Sequence, residues 1–181
     1  SSMKIVSLII VLSILFLSFN LPNEASSSIR FNANPSGRED IKVLNSVYET
    51  ELLRFINQYR NKKGLNSLLV HPDLMRASRY HAADMAHENY HEHATHNRIS
   101  NGLQRGLNTF QRISSFYDGF PNAENIAAGY GNPLAVFEAW VKSPGHKRNL
   151  LNKSATHMGV GYYRDSKSKF KNYWVFESAA Q

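Results

Sequence analysis

Three side chains in this sequence could do chemistry together: His93, Glu124 and His146. Two neutral imidazoles and a carboxylate can hold zinc and leave one coordination position open. Without metal, the same groups can serve as an acid–base pair. They can also form a buried polar network that ties a loop to the core. Spacing along the chain leaves all three readings open. Each residue falls on or beside a non-periodic segment next to a helical pattern, and loops held on a rigid scaffold are where ligand groups concentrate. The expectation is a cleft, with the histidine-rich run from His81 to His96 on one side and the stretch holding Glu124 and His146 on the other.

Other chemistries find less support. The run His87-Glu88-Asn89-Tyr90-His91 matches HExxH, which in zinc peptidases puts two histidines one helical turn apart with a glutamate base between them. A chance match is unsurprising in so histidine-rich a stretch. The extended metzincin pattern would need glycine at 94 and histidine at 97, where Ala94 and Asn97 stand, and the helical pattern fades near Tyr90. There is no cysteine, and no serine sits in a Gly-x-Ser-x-Gly elbow. Ser143 is close to His146 along the chain, which by itself shows no activated nucleophile. Glycine-rich phosphate loops are absent.

The elements that must position these residues follow from periodicity. Val47, Leu52, Phe55, Ile56 and Tyr59 recur at helical spacing, which predicts a helix from Asn45 to Lys62, stopped by Gly64. Pro72 starts a second helix, with Leu74, Ala77, His81 and Met85 on one face, running to about Asn89. A histidine on such a face is read as a hydrogen-bonded core residue, so His81 is given a structural role. Residues 100–110 read as a short helix and residues 111–123, with Ser-Ser, Asp-Gly and Pro, as a long loop. Asn132 and Pro133 cap and start a further helix with a core face of Leu134, Phe137, Trp140 and Val141, ended by Pro144-Gly145. Residues 158–163 and 173–179 alternate as two strands around a lysine-rich turn, an antiparallel hairpin. Helices first and paired strands late give an α+β domain, with helices packed on an antiparallel sheet.

At 181 residues the chain fits one domain plus an appendage. The appendage is the start: Lys4, an apolar run over residues 5–17, then Pro22 and small residues at 25–28, the pattern of a secretory signal peptide. A transmembrane anchor is the rival reading. The expected organisation is residues 1–25 as leading residues plus signal peptide, 26–44 as a Ser/Asn-rich flexible linker, and 45–181 as the domain. An exported domain without cysteine must rely on its core alone. The formal net charge of +7 is unchanged by removing Lys4 and Glu24 and favours acidic partners. The basic residues are scattered, however, and the densest group (Lys167, Lys169, Lys171) lies in the hairpin turn, so a solvated surface is the plainer reading.

Four segments resemble the markers of the CAP superfamily, which takes in cysteine-rich secretory proteins, antigen 5 and plant pathogenesis-related proteins. They are NYHEHAT at 89–95, AENIA at 123–127, AWVKSPGHKRNLL at 139–151 and THMGVGYY at 156–163. The match is to its short, cysteine-free bacterial branch and covers nearly the whole chain from about Val47. The resemblance implies a three-layer α-β-α sandwich with a central antiparallel sheet and a central cleft. Family members often carry two histidines and two acids there, and some bind a divalent metal such as zinc. Motif by motif, His93 and His146 take the two histidine positions and Glu124 the glutamate of the family's Gly-Glu-Asn. Ala123 departs from the usual glycine, and Ser143 stands where the second acid would be. Glu138 lies about 140° around the helix from Ser143 and does not replace it. The set is three groups rather than four.

The resemblance therefore implies a secreted or outer-surface binding or effector module, a monomer without established catalysis. Its ligands would be a sterol or other lipid, a host surface component, or a zinc ion on His93 and His146. Neither a nucleic-acid partner nor a membrane span remaining after signal removal is expected. Two alternatives stand beside it: a metal-assisted peptidase in which Glu124 polarises water, and an adhesin-like module that binds acidic host components through its basic surface.

Overall fold

The computed structural model describes residues 29–181. A four-stranded sheet lies between two layers of helices, in the order β1 (Leu69–Val70), β5 (His157–Arg164), β6 (Asn172–Ala180), β4 (Phe120–Ala128). The pairs β5–β6 and β6–β4 are antiparallel, and only the two-residue edge β1 runs parallel to its neighbour. One face packs against α1 (Ser46–Lys62), α4 (Pro133–Lys142) and α5 (Pro144–Leu150); the other packs against α2 (Pro72–His87) and α3 (Thr109–Phe116). This is the α-β-α sandwich.

The two faces are built differently. Toward α1, α4 and α5 the sheet presents Met158, Val160, Tyr162, Trp174 and Phe176, which meet Leu52, Ile56, Val136, Trp140 and Leu150 in one apolar cluster. Toward α2 and α3, strand alternation turns Tyr173, Val175, Glu177 and Ala179. There α2 lies almost on the backbone of β5. A Cβ at Gly159 would stand 2.1 Å from Leu74 C, and one at Gly161 2.4 Å from Arg79 N. Only glycine permits that approach.

Several expectations need correction. Residues 29–44 are packed: Ala33 and Ile41 are buried, Phe31 stacks on His87, and Arg76 Nη1 donates to Gly37 O at 2.7 Å. The signal-peptide reading concerns residues outside those described. In place of a helix over 100–110 there is a hairpin, β2 (His96–Ile99) and β3 (Gly102–Arg105), because Ser100-Asn101 make a two-residue turn that closes on Gly102, itself at φ +128°. The supposed loop 111–123 holds most of α3 and the start of β4. Asn108 and Gln111 form a reciprocal capping box that starts α3. Helix α4 does end just before Pro144-Gly145, at Lys142 with Ser143 extended, but Pro144 is also the first residue of a further helix, α5. Val47 and Leu134 are exposed, while Glu49 and Val136 take the buried positions on α1 and α4. Glu49 is buried because Arg79 grips its carboxylate, with Nη2 at 2.7 Å.

Candidate functional site

Glu124 sits on strand β4, just past a register shift between Pro121 and Ala123, and directly across from Glu177 of β6. Both carboxylates point at α3, where Arg112 is fully buried between them. Arg112 Nη2 bonds Glu124 Oε2 and also donates to Glu177 Oε1 at 3.1 Å. Ser78 of α2 donates to the other Glu177 oxygen at 3.2 Å. One guanidinium thus serves two carboxyls, and the pair divides the difference. Burial pushes against ionisation of Glu124, but the Arg112 charge, His81 and His93 outweigh it and hold its carboxyl at about 2. Burial dominates at Glu177, aided by the Glu124 charge, and pushes it up to about 8 despite Arg112.

The same guanidinium shapes the loop that carries His93. Arg112 Nη1 donates to His93 O at 2.6 Å, and the His93 ring sets Nδ1 2.7 Å from Glu124 Oε1. A carboxylate only accepts, so the hydrogen at this contact is carried by Nδ1, and it is the neutral ring that presents a lone pair at Nε2. The His93 side chain is 53% exposed. Deeper in the loop, His81 Nε2 donates to Glu92 O at 3.0 Å and Tyr90 donates to Asp84, whose carboxyl burial raises to about 7. His81 is a wholly buried anchor, its ring pushed down to about 3 by burial and the Arg112 charge.

His146 comes from the opposite wall. Its segment is pinned to β4 by Asn125 Nδ2 donating to His146 O at 3.0 Å and by Asn149 Nδ2 donating to Glu124 O at 3.0 Å. His93, Glu124 and His146 line one cavity of about 540 Å³, with Asn108, Thr109, Phe110, Asn122, Ser143, Arg148 and Asn149 around them. Burial and the neighbouring His93 push the His146 ring down. His91 shares a second cavity with both histidines and is pushed down in the same way.

The donor set does not suit zinc. Glu124 is spent: one oxygen is on Arg112, the other on His93 and within 3.4 Å of Thr109 Oγ1. Ser143 supplies no fourth ligand. Among the described residues no group of three His, Cys, Asp or Glu side chains is placed to hold a metal ion. Two imidazoles fall short of the three protein ligands of an open zinc site, so the residues do not fit that group. The HExxH reading fails as well, because α2 ends at His87 and Asn89 turns left-handed at φ 57°.

Sequence reasoning singled out the cleft residues but missed Arg112 and Glu177, the groups that set their charge. Arg112 fell in a stretch read as loop, although the Asn108–Gln111 cap was there to be found. No local pattern marks Glu177, whose partner is distant in sequence.

An α-β-α sandwich with this cleft defines a class, and the chain belongs to it. It is a member of the CAP family, the cysteine-rich secretory protein family, whose model matches residues 53–178. It is 36% identical over 118 residues to the uncharacterized protein YkwD of Bacillus subtilis strain 168, covering 65% of this chain and 43% of that one. It is 31% identical over 128 residues to the uncharacterized membrane protein YlbC of the same organism, covering 70% and 34%. The chain thus spans less than half the length of these relatives. Among solved structures it is similar to an extracellular SCP-domain protein of Bacillus anthracis. There the TM-score is 0.61 at 24% identity, over 74% of this chain and 40% of that one. It is also similar to an outer surface protein of Borrelia burgdorferi, at TM-score 0.58 and 25% identity, over 73% and 91%. Among the described residues no helix is long and apolar enough to cross a membrane.

Proposed function

We propose that this chain is an exported or surface-exposed CAP domain whose cleft, lined by His93, Glu124 and His146, binds a ligand and does not turn it over. One observation carries the reading: Glu124 is buried and doubly engaged, so it orients His93 and is not free to act on a substrate or a metal. The extracellular and outer-surface descriptions of two similar structures support export. A lining of asparagines, histidines and an arginine suits a polar ligand better than a sterol.

The test is co-sedimentation of the purified protein with bacterial cell-wall sacculi, a surface that an exported module meets first. Binding lost in His93→Ala and in His146→Ala, with melting temperature preserved, is the expected result. Equal binding by both variants would remove the cleft from the function. A second reading has one observation in its favour. The Glu124–His93 pair leaves Nε2 as a proton acceptor, the arrangement of a general base. Peptide hydrolysis that is lost in His93→Ala and survives chelator would move the function to that reading.

A further inference from the structure

We infer that the cleft opens onto a cationic track across α5 and that the track binds a linear acidic glycan. This deepens the reading of the cleft as a binding site and rests on it. The central cavity does not stand alone. It shares Arg148 with a cavity of about 420 Å³ on the far side of α5, where Lys142 and Lys147 join the lining. At its other end it shares His93 and His146 with a cavity of about 510 Å³ that adds Arg105. Three adjoining hollows therefore carry four permanent cations, Arg105, Arg148, Lys147 and Lys142, all exposed. Among the described residues none of the four is in a salt bridge.

Opposing charge is scarce along this path. Glu124 has 1% of its side chain exposed and is neutralised by Arg112. Glu92, 63% exposed, is the one carboxylate at the surface of the track, and it lies 3.5 Å from His96. A row of unpaired cations in concave surface focuses the field on an anionic ligand. The rest of the lining narrows the class. Asn108 and Asn122 line the central cavity, and the Asn108 amide nitrogen, its Oδ1 being used to cap α3, is left to donate to a hydroxyl group. Phe110, 52% exposed, presents a ring at the rim on which a sugar can stack. One such ring is not the series of stacking platforms that a single-stranded nucleic acid uses. Three hollows joined end to end by shared residues suit a chain one sugar wide. Successive acidic groups on one polymer would then meet successive cations, with the gain that comes from linking weak contacts.

The experiment is fluorescence anisotropy with two labelled polymers, polygalacturonate for carboxylate and poly(glycerol phosphate) for phosphate, so that the preferred anion is read directly. Binding to at least one, abolished at about 1 M salt where screening acts within about 3 Å, is expected. Lys147→Ala/Arg148→Ala should weaken it about tenfold or more, the loss of two charge-assisted contacts. The double variant Arg38→Ala/Lys42→Ala removes the same charge from residues that line none of the three cavities and should change it less than about twofold. Melting temperatures should be equal throughout. The inference is overturned if neither polymer binds, or if the two double variants weaken binding equally. It is also overturned if phosphatidylglycerol vesicles, and not the polymers, bind in an Arg148-dependent way. Retention on sacculi by Lys147→Ala/Arg148→Ala, with neither polymer bound, would sink the track and leave the binding module standing. Loss of all sacculus binding by the unmodified protein would sink the wider reading.

Discussion

The two faces of the central sheet solve the same problem with opposite chemistry. Toward α1, α4 and α5 the core is apolar, centred on Trp140, Trp174 and Phe176. Toward α2 and α3 smaller apolar clusters around Met85, Val175, Leu74 and Ile113 share the space with Arg112, Glu124, Glu177, Asp84 and His81, all buried. Apolar burial is non-directional, so the first face tolerates small shifts. A buried guanidinium between two carboxylates is directional and costly to misplace. The candidate site stands on the second face. The network thus serves to aim His93.

Removing Arg112 tests that contrast most severely. Arg112→Ala leaves two buried carboxyls without a counter-charge, a loss at the upper end of about 3–5 kcal/mol. The loss should shrink in acid, where the carboxyls can take up protons; equal destabilisation at pH 4 and pH 8, measured by denaturant melts, would speak against the network. Trp140→Ala should cost about 3–5 kcal/mol through the cavity it leaves, and this loss should not change with pH.

Glu177→Gln gives a smaller effect with a defined sign. With its carboxyl pushed from 4.5 up to about 8, the folded chain keeps a proton that the unfolded chain has released. This contribution is complete below the ordinary value and is lost as pH rises through about 8. Glu124 runs the other way: held at about 2, it stabilises above its ordinary value and loses that contribution as pH falls toward 2. Glu177→Gln should therefore raise the melting temperature by about 2–4 °C or more at pH 8 and by little at pH 5. No difference between the two pH values would show that Glu177 is already ionised in the fold. His93→Ala should be the mildest, less than about 1 kcal/mol, since the ring is half exposed and Glu124 keeps Arg112. A large fall in melting temperature would recast His93 as structural.

Legibility in the sequence follows the same division. Helices α1, α2 and α4 and strands β5 and β6 were readable because apolar repetition, caps and prolines act locally. The hairpin 96–105 and helix α3 were misread, because polar turn and cap residues also look like loop. His93, Glu124 and His146 could be chosen by motif, and they line one cavity. That Glu124 is a strand residue committed to Arg112 could not be read from the chain.

Position along the chain determined which residues are helix caps, which alternate in the late hairpin and which three polar groups were candidates, since these depend on neighbours a few residues away. The tertiary structure alone decided the charge state of the site. Glu124 and Glu177 meet only through the β4–β6 register, and Arg112 reaches both only because α3 packs beneath them. A carboxyl's ionisation is set by what surrounds it in space, and separation along the sequence carries no measure of that.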